Sequence, residues 1–113
     1  MPIFLQIMLG SAVGGLLRHL AILYIPFPIV LVNIIGSFAI GLLSVKLTSL
    51  NPNLIPLINA GLLGGLTTFS SFSLESMAYF NNGKFMQGLS YVAISVMVSL
   101  AGCYLGQRLS SWI

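Results

Sequence analysis

The sequence predicts an all-α membrane protein of four transmembrane helices, the third of them broken near its middle. Three observations lead there. Charged residues make up 4% of the 113-residue chain and hydrophobic ones 58%, with a mean hydropathy of +1.07. A soluble domain carries about 25% charged residues, so this chain cannot clothe a water-facing surface and its apolar residues must face lipid. The apolar residues fall into four stretches of roughly the 20 residues that cross a hydrocarbon core, and the third of these has a polar middle.

The first helix is expected over about Ile3–Ile25, ended by Pro26 and Pro28, because proline is tolerated in a first turn and breaks an interior. Met1 and Pro2 lead straight into apolar residues with no basic leader, which reads as a retained transmembrane helix and not a signal peptide. The second helix is expected over Ile29–Leu47, closed by Thr48 to Asn53, and the third over Leu54–Phe80 with Pro56 in its first turn. Asn81 to Lys84 form a polar turn before a fourth helix over Phe85–Leu109. Tyr24, Tyr79 and Trp112 fall near predicted ends, where interfacial aromatics gather. Residues 1–113 read as a single four-helix domain.

Counts exclude whole classes of function. One carboxylate (Glu75), one histidine (His19) and one cysteine (Cys103) cannot make paired catalytic acids, a Ser-His-Asp set or a His/Cys metal cluster, so no enzyme is expected. Cys103 reads as a small packing residue. The formal charge of +3 comes from Arg18, Lys46, Lys84 and Arg108, too dispersed for a phosphate-binding stripe, and nucleic acid is not an expected partner. With the amino terminus and the 48–53 loop on one side, that side holds Lys46 and Arg108 while the other holds Arg18 and Lys84. The positive-inside rule then chooses no orientation, and such a bundle can insert both ways and pair antiparallel.

Polar residues inside apolar helices are costly and mark function. The third stretch holds Gly61, Gly64 and Gly65, then Thr67, Thr68, Ser70, Ser71 and Ser73, with Glu75 and Ser76 beyond. Irregular backbone at membrane depth survives only where protein or a water-filled cavity serves its polar groups, and broken helices are where transporters place ions. The plainer alternative is close helix packing, which the small-residue pairs Gly10/Gly14, Ser37/Gly41, Gly61/Gly65 and Gly102/Gly106 also suggest.

Asn33 offers two amide donors to an anion or a helix–helix hydrogen bond. Tyr91, Ser95 and Ser99 recur every fourth residue and share a helix face. Their hydroxyls can pass an anion along or bond to the preceding turn. Phe69 and Phe72 are spaced for core packing, but their positive ring edges also suit an anion. Arg18 either snorkels or concentrates anions at a pore mouth. His19 reads as an interfacial polar residue, and Glu75 as a structural or vestibule residue.

Gly-Gly-Leu-Thr-Thr-Phe-Ser-Ser-Phe-Ser at 64–73 resembles the signature of the Fluc (CrcB) fluoride channel family. Gly-Ser-Ala-Val-Gly-Gly-Leu-Leu-Arg at 10–18, Asn-Ile-Ile-Gly-Ser-Phe at 33–38, and Tyr91, Ser95 and Ser99 extend the likeness through the whole chain in order. One departure is Ser71, where the family usually has threonine. The resemblance implies an antiparallel, dual-topology homodimer in the cell's inner (plasma) membrane, with two fluoride pores built from both subunits. It gives Asn33, Phe69, Phe72, Tyr91, Ser95 and Ser99 fluoride-contacting places and puts Arg18 in the vestibule. It also implies a structural sodium ion (Na+), not transported, on the backbone carbonyls of Gly64 and Thr67. The expected partners are therefore fluoride, the lipid bilayer and a second copy of the chain. A small multidrug-resistance-type proton antiporter has similar size but needs a carboxylate in its binding cavity, typically in the first helix. This first helix has none. A non-transporting assembly subunit would have no use for the polar break.

Overall fold

The computed structural model describes residues 1–113 as four membrane-spanning segments and little else. Helix α1 is Ile3–Tyr24 and α2 is Pro28–Leu50. The third span, Pro52–Asn81, is a composite. A single 3-10 turn, Pro52–Leu54, leads into a wide π-helical stretch, Pro56–Leu63, and then a short α-helical turn α3, Gly64–Leu66. After two extended residues the span resumes as α4, Phe69–Asn81, and α5 is Phe85–Trp112.

The ends follow local chemistry. Pro28 opens α2 in the first turn, where its missing N–H is no loss. Phe27, between two prolines, takes φ +50°, a value bulky residues rarely adopt. The polar residues expected to close α2 extend it instead. Thr48 Oγ1 donates to Ser44 O at 2.7 Å and Ser49 Oγ to Lys46 O at 3.0 Å, so these hydroxyls are satisfied by their own helix. Ser111 does the same on Arg108 O at 2.7 Å, and α5 runs past the expected Leu109. At the end of α4, Gly83 sits at φ +74° while Lys84 N–H reaches Tyr79 O and Gly83 N–H reaches Phe80 O. This paired return is the usual glycine-terminated helix end.

Packing divides the bundle into pairs. α1 lies along the first half of the third span, and α2 lies along α5. The second half, α4, leaves α1 and packs on α5. The break is therefore where the third span changes partner.

Only 16 residues are buried, and glycine and serine are prominent among them. A helix interior of small residues with large apolar ones outside is the reverse of a soluble core, and it is what close backbone packing in lipid requires. The small-residue pairs meet as expected, but unequally. A Cβ on Gly10 would come within 2.8 Å of Gly61 Cα, and one on Gly106 within 2.8 Å of Leu42 N, contacts that rigid backbone cannot relieve. A Cβ on Gly102 would meet nothing nearer than Ile34 O at 3.6 Å, an ordinary contact.

These distances separate two substitutions of identical chemistry. Gly106→Ala should destabilise the α2–α5 pair by about 1–3 kcal/mol, the usual cost of overpacking. Gly102→Ala should leave thermal unfolding in detergent unchanged or slightly raised. Equal melting temperatures for the two variants would remove the close approach as the reason for Gly106.

A cavity at the broken helix

Asn33 makes the break. In a continuous helix the Thr68 N–H would bond to the Gly64 carbonyl. Here it donates to Asn33 Oδ1 at 2.8 Å, and Asn33 Nδ2 donates back to Thr68 O at 3.0 Å. One side-chain amide thus satisfies both backbone groups of a residue that has left the helix. Thr67 and Thr68 take extended conformations, with ψ 156° and 121°. The expected break at Gly64 to Thr67 is therefore shifted: Gly64 is helical, at φ −63° and ψ −36°, and the unwound residues are Thr67 and Thr68. Glycine permits a break without compelling one, and the competing hydrogen bonds decide its place.

Both sides of the break are finished locally. Thr67 N–H and Oγ1 both donate to Leu63 O, each at 3.0 Å, ending the first half. Thr68 Oγ1 accepts from Ser71 N–H at 3.2 Å, an N-cap for α4. Arg18 reaches across from α1, and its Nη1 donates to Thr67 O at 3.3 Å.

A cavity of about 360 Å³ opens on the break. Of the residues singled out in the sequence, Asn33, Gly64, Thr67, Phe69, Phe72, Ser95 and Ser99 line it. Ser95 is buried and its Oγ has no partner. Phe72 is buried, while Phe69, its ring 5.4 Å away, is 77% exposed. Ser37 and Asn59 also line the cavity. Asn59 Nδ2 donates to Ser44 Oγ at 2.9 Å. An amide inside an apolar span is the signal that marks Asn59 in the sequence. Ser37 was visible only as a small packing residue.

Tyr91 stands apart from Ser95 and Ser99. Its ring stacks on Phe72 at 5.8 Å and 18°, but its hydroxyl donates to Glu75 at a neighbouring cavity. That second space, about 370 Å³, includes Glu75, Tyr79, Asn82 and Lys84 near the α4–α5 turn. Arg18 lines neither cavity and reaches the break only through Thr67 O.

Residues 5–107 match the family described as CrcB-like protein, Camphor Resistance (CrcB). The chain belongs to the CrcB-like family. A relative from Nocardia farcinica, named fluoride-specific ion channel FluC 2, is 38% identical over 97% of this chain and 86% of its own length. A FluC from Cereibacter sphaeroides is 39% identical over 90% of this chain and 89% of its own. Another, from a Hydrogenobaculum species, is 34% identical over 94% and 95% respectively. A CrcB-like chain with four apolar helices is a multi-pass membrane protein.

In this CrcB-like chain, Asn33→Leu keeps the bulk and removes both bonds to Thr68. Leaving buried backbone groups without partners costs about 1–3 kcal/mol each, so the melting temperature should drop. Amide exchange should accelerate at Thr68 and Ser71 and remain slow along α2 and α5. Unchanged exchange at Thr68 would mean that the break holds without the Asn33 amide.

Proposed function

We propose that the protein is a fluoride-selective channel of the cell's plasma (inner) membrane that lets fluoride leave the cytoplasm down its electrochemical gradient and so limits its toxicity. The observation that carries the reading is the cavity at the break, which gathers Asn33, Phe69, Phe72, Ser95 and Ser99 in one space. Relatives named as fluoride channels match at least nine-tenths of the chain.

The chemistry of the lining suits a small anion that has shed water. A dehydrated ion needs replacement donors. Ser95 holds a buried hydroxyl with no partner. Asn33 Nδ2 carries two hydrogens, and the bond to Thr68 O uses one. The edges of Phe69 and Phe72 add positive rims without charge. No lysine, arginine or histidine lines the cavity, so an anion is not trapped, and passage requires binding weak enough for release. Fluoride enters cells as neutral HF from acid surroundings and dissociates inside, so a potential-driven leak lowers its internal level. Tyr91 is assigned to the cytoplasmic or external approach and not to the cavity itself, because its hydroxyl is engaged by Glu75.

The working form is assigned as an antiparallel homodimer. Phe69 supports it: an aromatic ring lining a polar cavity yet 77% exposed fits a wall supplied by a second copy. The even split of Lys46 and Arg108 against Arg18 and Lys84 fits insertion in both orientations. A structural sodium ion fits the donor set in kind, since oxygen ligands suit a hard cation. The Gly64 carbonyl has lost its helical donor to Asn33, and Thr67 is unwound. Their carbonyls would hold the ion, which would supply positive charge at the end of a half-helix.

Fluoride efflux from liposomes, read with a fluoride-selective electrode against chloride, tests the reading. The reconstituted protein should release fluoride and retain chloride. In a Phe69→Leu, Phe72→Leu double variant, flux should fall by orders of magnitude while fold and dimer persist. Wild-type flux from that well-folded variant would return both rings to simple packing. Two lysines added to the 48–53 loop should bias insertion and depress activity, and co-expression with an oppositely biased copy should restore it. Full activity from one uniformly oriented population would overturn the antiparallel dimer.

A further inference from the structure

We propose that the Arg18 guanidinium is the resident cation of the helix break and competes with sodium for the Thr67 carbonyl. The inference rests on the sodium reading above and adds a residue that opposes the ion.

Arg18 is always charged and would be costly at membrane depth without a partner. The only carboxylate in the chain, Glu75, is engaged by Tyr91. The one hydrogen bond Arg18 makes runs from Nη1 to Thr67 O at 3.3 Å, part-buried and 49 residues away in sequence. That carbonyl closes the first half of the third span. The last carbonyls of a helix lack donors and carry its negative pole, and here the Thr68 N–H that would serve Gly64 is spent on Asn33. A cation belongs at this pole, and in the single chain Arg18 provides it.

A sodium ion on the Thr67 carbonyl would answer the same need. The oxygen has two lone pairs, so geometry admits both cations. Their charges would then stand a few ångströms apart where little water screens them, and repulsion is strong there. Each cation weakens the hold of the other, and by linkage the effect is reciprocal. Arg18 therefore raises the sodium concentration needed to fill the site, and it keeps the break intact when sodium is absent.

The test follows the melting temperature of the detergent-purified full-length protein against sodium chloride, with choline chloride holding ionic strength constant. In Arg18→Gln, the sodium concentration at which the melting temperature begins to rise should fall by roughly tenfold or more, within the usual range of coupling between sites. The variant should melt below wild type without sodium, and the gap should narrow as sodium rises. Arg18→Met, neutral and suited to an apolar helix, should behave alike. A purely structural arginine would instead lower the melting temperature by about the same amount at every sodium concentration, with the onset of the rise unmoved, and that result overturns the inference alone. A wild type indifferent to sodium overturns the sodium reading and the competition together.

Discussion

The pair of hydrogen bonds between the Asn33 side chain and the backbone of Thr68 is the constraint on which the rest of the molecule depends. At 2.8 and 3.0 Å they replace the helical partner that the Thr68 N–H gives up and provide a donor for its carbonyl. An unpaired backbone group in lipid costs several kcal/mol, so the exchange is what permits the third span to unwind. Once unwound, the chain can change neighbours. The first half stays along α1, α4 crosses to α5, and the space between them becomes the cavity.

The surrounding bundle supplies the rigidity this arrangement needs without a hydrophobic core in the ordinary sense. Gly10 against Gly61, and Gly106 against the backbone of α2, bring helices together more closely than any side chain would allow. Dispersion between backbones and local hydrogen bonds then do the work that apolar burial does in water. Large residues such as Phe4, Leu16, Met97 and Leu100 are left outside, where lipid or another protein surface meets them. A polar cavity is stable inside such a frame because its groups are mostly paired within the frame. Ser95 is an exception, and an unpaired buried donor is a group an anion can use.

Much of this was legible in the sequence, because membrane spans are written in local terms. Length, hydropathy and proline placement found all four segments, with the largest misplacements of ends where Thr48, Ser49 and Ser111 turned their hydroxyls back onto their own helices. The small-residue pairs named the right faces, though Gly102 proved to have room to spare. What was not legible depends on partners distant in the chain. Unwinding at Thr67 and Thr68, not at the glycines, is decided by Asn33, 35 residues earlier. The Arg18 contact spans 49 residues. Tyr91 shares a helix face with Ser95 and Ser99, as its spacing requires, yet Glu75 draws its hydroxyl to another cavity. Periodicity identifies a face but says nothing of which neighbour competes for each group on it.

One break also creates two poles of opposite sign. The half-helix ending at Leu66 presents carbonyls, and α4, beginning at Phe69, presents N–H groups a few residues later. The Thr68 cap serves only Ser71, so the first amides of α4 have no acceptor in a preceding turn. Cations are drawn to the first pole and anions to the second. Arg18 stands at the carbonyl pole, while Phe69, which opens α4, lines the cavity with Asn33 and Ser95. The separation places poles of both signs at one break in a chain with a single carboxylate and four basic residues. The positive end is made of backbone dipoles whose pull is partial and fixed in place. A full charge in the cavity would hold an anion tightly. A helix end attracts an anion less strongly, which suits passage in place of retention.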